Sequence, residues 1–239
     1  MVQVLASNPF LSSYTGSDLF GKLIILSLLF VSALSWAILV YKFRYARGIT
    51  HSGNQFLDRF QKSLNNPLNF DFPQKKSHPN SFLEVYRALK RVAVEILNKN
   101  QSHSPEMGGA YLSSADIESV AFQVEAQIQR ERERFERHLA WLATTVSLAP
   151  FLGLLGTVWG ILLTFSELQN LGAGSGSPLV MGGLSMALAT TVLGLVIAIP
   201  ALIGHNLLKA RVRSFEAQMR AFATQAIGAI ELQYRRVEL

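Results

Sequence analysis

Three long stretches of this 239-residue chain contain no Asp, Glu, Lys or Arg, and they constrain its fold more than any other feature. They cover residues 23–41, 139–166 and 168–208. A helix needs about 20 apolar residues to cross the hydrocarbon core of a bilayer. The first two stretches each have room for one crossing, and the third holds a Gly- and Ser-rich segment followed by one more. The sequence therefore predicts an all-α, polytopic membrane protein with three transmembrane helices.

The basic residues predict how these helices are oriented. Of the 22 Lys and Arg residues, one precedes the first span, fifteen lie within 42–137 and six lie within 209–236. Positive residues collect on the cytoplasmic side of membrane proteins. We therefore expect a periplasmic N-terminus and a cytoplasmic C-terminus. The net charge of +6 is attributed to this topology and to contacts with the lipid membrane, and nucleic acid is not expected as a partner.

The same features divide the chain into seven segments. They are an outer N-terminal segment (1–21), transmembrane helix 1 (22–41), a cytoplasmic helical loop (42–138), transmembrane helix 2 (139–166), a periplasmic connection (167–178), transmembrane helix 3 (179–208) and a cytoplasmic C-terminal helix (209–239). Apolar residues recur every three or four positions beyond the spans, which predicts long helices that extend into the cytoplasm. One of them is predicted to start at Ser113 or Ser114 and to enter the membrane near His138 without a break.

No residue pattern of a conventional enzyme is present. The chain has no cysteine, its five histidines are scattered, and it has neither a Gly-rich phosphate loop nor a Gly-x-Ser-x-Gly motif. We therefore expect neither an enzyme, nor a metal site, nor a bound cofactor.

The last two spans each carry a stripe of small residues at helical spacing. The stripes consist of Gly153, Gly156, Thr157, Gly160 and Thr164 on one span, and of Ala187, Thr191, Gly194, Ala198 and Ala201 on the other. Such stripes are typical of close helix–helix packing. They are also compatible with a narrow polar path, because the hydroxyls of Thr157 and Thr191 can each donate and accept a hydrogen bond. The spans contain no acidic residue, so a proton path would need a titrating group from a partner.

These stripes lie in segments that resemble a known family. LATTVSLAPFLGLLGTVWGI (142–161) and ALATTVLGLVIAIPALI (187–203) are similar to two membrane segments of the TolQ/ExbB proton-channel family, of which MotA is a more distant relative. The three spans, the large cytoplasmic loop and the outer N-terminus fit the same family. The short N-terminal segment and the sequence SWAI (35–38) favour its TolQ branch over its ExbB branch.

The resemblance implies a function. It implies a bacterial inner-membrane homo-pentamer that surrounds TolR/ExbD-type chains, with protons as the coupling ion and a membrane Asp of the partner as proton carrier. A TolA- or TonB-type protein would transmit the work to the outer membrane. Thr157 and Thr191 correspond to the pore threonines of the family, whereas Met186 stands where relatives often carry Glu. The alternatives are a passive channel or transporter, and a scaffold for the transmembrane helices of a partner.

Overall fold

The computed structural model describes residues 13–15, 17–63, 66–72, 80–103, 111–171 and 178–235. The elements within them are α1 (Leu19–Gln61), a 3₁₀ turn (Pro67–Asn69), α2 (Ser81–His103), α3 (Ser114–Glu136), α4 (Leu139–Leu171) and α5 (Pro178–Tyr234). In this part of the chain, three helices are long and apolar enough to cross a membrane, namely α1, α4 and α5. The predicted all-α fold with three transmembrane helices is confirmed.

Two of these helices are much longer than a bilayer requires. α1 has 43 residues and α5 has 57, and neither is interrupted. At 1.5 Å per residue they measure about 65 and 85 Å, against about 30 Å for the hydrocarbon core. Each therefore contains one span and an extension beyond it, as the apolar spacing predicted.

The prediction of one unbroken helix through His138 is wrong. α3 ends at Glu136 and α4 begins at Leu139. Between them His138 has a φ of 71°, in the left-handed region that ends a right-handed helix. The Arg137 amide still donates to the carbonyl of Glu133, at 2.9 Å. The apolar spacing continues across the junction, so it gave no sign of the break. The break results from the backbone angle of one residue, His138.

Other helix ends differ from the predicted segments by a few residues. α4 continues to Leu171 and so occupies the first part of the predicted connection 167–178. α2 continues to His103, which lies in a segment that contains Pro and Gly, the residue types least favourable to a helix. The predicted outer segment lies outside the described residues over 1–12, as does the connection over 172–177.

The chain forms two compact units. The first, here called the membrane unit, comprises residues 1–42 and 138–208, and the second, the extramembrane unit, comprises 43–137 and 209–239. The membrane unit has a buried apolar cluster that joins α1, α4 and α5, formed by Ile24, Leu28, Ala149, Ile197 and Ala198. Its outer surface exposes large apolar side chains on all three helices, such as Phe30, Phe151 and Val196. Such a surface suits lipid or other apolar helices rather than water.

Aromatic side chains form the core of the extramembrane unit. The cluster consists of Phe56, Phe60, Phe70, Phe82, Tyr86, Phe215 and Phe222. The hydroxyl of Tyr86 donates to the carbonyls of Pro67 and Phe70, at 2.8 and 3.0 Å. Burial raises the pKa of Tyr86 to about 12. Tyr86 therefore remains a neutral donor at physiological pH and holds the 3₁₀ turn against the core.

The start of α3 is defined by a capping box. The Ser113 hydroxyl accepts from the Asp116 amide, and the Asp116 carboxylate accepts from the Ser113 amide at 3.0 Å and from Asn100 Nδ2 at 3.0 Å. The predicted start at Ser113 or Ser114 is confirmed. Partial burial raises the pKa of Asp116, but the hydrogen bonds from Ser113 and Asn100 outweigh it, and the pKa is below its usual range. The cap therefore contributes at neutral pH and is lost only as the pH falls through that lowered pKa.

Candidate functional site

Helices α4 and α5 approach each other along a row of glycines. A Cβ atom added to Gly160 would lie 2.5 Å from the carbonyl oxygen of Gly183 and 2.9 Å from Cβ of Ala187. One added to Gly194 would lie 2.6 Å from the carbonyl oxygen of Ala149. Because these neighbours belong to the backbone or to a residue without a flexible side chain, they have little room to move. The two helices therefore pack at a distance that only small residues allow.

The same contact continues at the centre of the membrane unit. A Cβ atom on Gly153 would lie 3.0 Å from the carbonyl oxygen of Thr190, and one on Gly156 would overlap the Thr190 side chain. Ala198 lies instead in the cluster with α1 and is 6% exposed. The four stripe glycines and Ala187 thus lie at the contact of α4 with α5, whereas Ala198 helps to join α5 to α1.

Two threonines were singled out from the sequence, Thr157 on α4 and Thr191 on α5. Their hydroxyls lie at the same turn of α4. The Thr157 hydroxyl donates to the carbonyl of Leu154 at 2.7 Å. The Thr191 hydroxyl, from α5, lies 3.5 Å from the carbonyl oxygen of Gly153 and 3.4 Å from that of Ala187. The structure therefore brings both hydroxyls to consecutive carbonyls of α4. Both side chains are half-buried, and the long distances leave the Thr191 hydroxyl weakly held.

Thr190 has a structural role that the sequence did not indicate. Its side chain is completely buried, and its hydroxyl donates to the carbonyls of Met186 and Ala187, both at 3.0 Å. It fills the space that Gly156 leaves open. Adjacent threonines on a helix point about 100° apart, so one of the pair packs while the other is directed elsewhere. Burial in the structure distinguishes Thr190 from Thr191.

The comparison with known proteins decides the family. The sequence profile of the MotA/TolQ/ExbB proton channel family matches residues 87–221, which is more than half of the chain. The chain belongs to this family. The Tol-Pal system protein TolQ of Pseudomonas aeruginosa is 28% identical over 214 residues, or 90% of this chain and 89% of that protein. The biopolymer transport protein ExbB of Salmonella typhimurium is 25% identical over 218 residues, or 90% of this chain and 83% of that protein.

A shorter match has a higher identity. The biopolymer transport protein ExbB of Aquifex aeolicus is 42% identical over 103 residues, which cover 43% of this chain and 67% of that protein. The resemblance inferred from the two membrane segments is therefore confirmed at the level of the family. TolQ and ExbB proteins match at similar identities, so the preference for the TolQ branch stays a prediction.

Met186, which the resemblance singled out as a departure from the family pattern, lies at the contact of α5 with α1. It is 0% exposed, and its thioether lies against Gly21 of α1, where a Cβ atom would collide with it. The neighbouring Ser185 hydroxyl is 2.9 Å from the hydroxyl of Ser13. At this position the chain thus has an apolar contact between α5 and α1.

The acidic residues of the membrane unit lie at the ends of its helices. Asp18 and Glu167 are its only carboxylates, and both lie outside the uncharged stretches. Asp18 precedes α1, and its carboxylate caps the helix by accepting from the Gly21 amide at 3.0 Å. Both of its oxygens also accept from Nε1 of Trp159, at 3.1 Å. The tryptophan of GLLGTVWG therefore ties α4 to the start of α1, a contact that the sequence did not indicate.

His205 is the only titratable side chain between residues 168 and 208. Among the described residues, its Nδ1 is buried and has no hydrogen-bond partner. It lies 14 residues beyond Thr191, about 21 Å along the helix. The imidazole is therefore too far from the threonine pair to form part of the same site.

Proposed function

We propose that this chain is the proton-channel stator subunit of an inner-membrane motor of the Tol-Pal or TonB-ExbB-ExbD type, in which it couples the proton motive force to work at the outer membrane. One observation carries the proposal. In a member of a proton channel family whose spans contain no carboxylate, Thr157 and Thr191 present their hydroxyls to the same turn of α4.

The threonines can assist a proton carrier but cannot replace it. A hydroxyl donates and accepts at once, so it can stabilise either the charged or the neutral form of a nearby acid. The weakly held Thr191 hydroxyl can exchange its partner at little cost, because both of its present contacts are long. A carboxylate within the membrane is costly and requires such polar neighbours. We propose that a membrane Asp of a TolR/ExbD-like subunit supplies it.

The assembly proposed is a homo-pentamer around the transmembrane helices of that partner, with a TolA/TonB-like protein as the next component. The apolar side chains exposed on α1, α4 and α5 support a membrane assembly, because they offer faces on which further helices can pack. The TolQ and ExbB relatives support the choice of partners.

The proposal is tested by proton flux. The chain should be reconstituted in liposomes with its co-encoded single-span partner, and acidification of the lumen should be followed after a potential is imposed. Flux is expected with the wild-type pair and not when the partner's membrane Asp is replaced by Asn. A passive channel would conduct without the partner, and a scaffold would conduct in neither case. Either result would exclude the proposed motor function.

The orientation follows from the distribution of charge and makes a separate prediction. Cysteines introduced at Asn100 and Ser175 in this cysteine-free chain are expected to react with impermeant maleimide from opposite sides of the inner membrane. Residue 100 should be labelled only after the cytoplasm is opened, and residue 175 in intact spheroplasts. Labelling of both from the same side would contradict the topology with cytoplasmic segments 42–138 and 209–239.

A further inference from the structure

A cleft between α1 and α5 in the extramembrane unit is lined by polar and basic side chains. Its volume is about 460 Å³, and its lining includes Arg47, Thr50, Asn54, Arg211, Ser214 and Gln218. His51 also lines the cleft and is joined to Gln55 through a 3.0 Å hydrogen bond. No carboxylate is among the lining residues. The cleft is therefore a concentration of hydrogen-bond donors and positive charge.

Five of the thirteen described arginines of this unit form ion pairs, and the two of this cleft are among the eight that do not. Arg87, Arg132, Arg134, Arg220 and Arg235 each form an ion pair with a glutamate. Within the described residues Arg47 and Arg211 form no ion pair. The Arg211 guanidinium instead lies 5.3 Å from the centre of the Phe43 ring, which holds it in place without neutralising it.

The position of the cleft along the helices indicates what would neutralise these charges. Arg47 lies six residues beyond Tyr41, the end of the first uncharged stretch, and Arg211 lies three residues beyond Leu208, the end of the last. At 1.5 Å per residue these distances are about 9 and 4.5 Å. The headgroup layer extends roughly 5 to 8 Å beyond the hydrocarbon core on each side. The backbone of Arg211 therefore falls within this layer and that of Arg47 at its outer edge, from which a long arginine side chain can reach the lipid phosphates.

We propose that this cleft binds the phosphate headgroup of an anionic phospholipid. Arg47 and Arg211 would bind the phosphate oxygens, since the planar guanidinium donates two parallel hydrogen bonds to such a group. Ser214 and Asn54 would donate to the remaining oxygens or to the hydroxyls of a glycerol headgroup. The acyl chains would remain in the bilayer. The proposal does not depend on the proton path, so failure of either leaves the other in place.

The test is lipid retention by the full chain, purified in mild detergent. Native mass spectrometry should count the lipids bound per chain after addition of phosphatidylglycerol or phosphatidylcholine. Wild-type protein is expected to retain phosphatidylglycerol selectively. In the variant Arg47→Gln/Arg211→Gln, the affinity should fall about thirtyfold, the loss expected for two basic residues near the membrane surface.

A matched control separates the cleft from general surface charge. Lys209→Gln/Arg213→Gln removes the same charge from exposed positions of α5 at similar depth, outside the lining. Its retention should equal that of the wild type. Equal loss in both double variants, or no loss in the cleft variant, would overturn the proposal. Excess inorganic phosphate distinguishes a soluble ligand from a lipid. If it displaces the lipid and raises the midpoint of thermal unfolding as much as phosphatidylglycerol does, a soluble phosphate is the ligand and the lipid assignment is wrong.

A second variant addresses misfolding of the charge variant. Ser214→Leu fills the cleft and leaves both arginines and the net charge unchanged. It is expected to lower phosphatidylglycerol retention at unchanged helicity and subunit composition. Full retention in this variant would show that the lipid binds elsewhere.

Discussion

Replacement of Thr191 by valine is expected to impair proton-dependent work while the complex still assembles. Valine keeps the branched shape but removes the hydroxyl, whose contacts with Gly153 and Ala187 are long. Hydrogen bonds between membrane helices contribute only about 0.6 kcal/mol on average, so folding should survive. If the hydroxyl lowers the barrier by about 1.4 kcal/mol, flux should fall about tenfold. Proton flux into liposomes and growth on detergent measure this loss, and co-purification of the partner measures assembly.

Thr190 provides a matched control for this experiment. It is the adjacent residue and takes the same substitution, but its hydroxyl is buried and bonded within its own helix. Thr190→Val should therefore leave the flux near the wild-type value, whereas Thr157→Val should resemble Thr191→Val. Normal flux in both the Thr157 and the Thr191 variants would show that these residues only pack. Equal losses at positions 190 and 191 would mean that the hydroxyl of Thr191 has no special role.

Gly160→Ala is expected to destabilise the contact between α4 and α5. The added methyl group would lie 2.5 Å from the carbonyl oxygen of Gly183, a backbone atom that can move only if the helices separate. Overpacking of this kind costs about 1–3 kcal/mol. The expected result is a lower midpoint of thermal unfolding in detergent. Size-exclusion chromatography with fluorescence detection measures this midpoint.

Gly228→Ala is the control, since it makes the same change within α5 at a site with nothing within 4 Å of the added Cβ. Alanine exceeds glycine in helix propensity by about 1 kcal/mol, so this variant should be as stable as the wild type or more stable. The two substitutions should thus have opposite signs. A Gly160→Ala variant as stable as Gly228→Ala would show that α4 and α5 do not depend on close backbone contact.

Hydrophobic periodicity located the small-residue stripes but could not assign their individual roles. The spacing placed Gly160 and Gly194 on faces suited to close contact, and the structure pairs them with Gly183 and Ala149. It gave no reason to separate Thr190 from Thr191, because neighbouring residues on a helix differ only in the direction they face. The anchoring of Trp159 by Asp18 joins residues 141 positions apart, a separation that no local pattern reports.

The sequence by itself determined the number of membrane helices, the extensions of α1 and α5, the capped start of α3 and the resemblance to the proton channel family. These properties follow from the lengths of uncharged stretches, from local spacing and from short motifs, and each is encoded by residues close together in the chain. Only the tertiary structure decided the break at His138, the burial of Met186 against Gly21, and the approach of the Thr191 hydroxyl to the Gly153 carbonyl of α4. These depend on a single backbone angle or on contacts between distant segments, and their energies are settled by packing rather than by local preference.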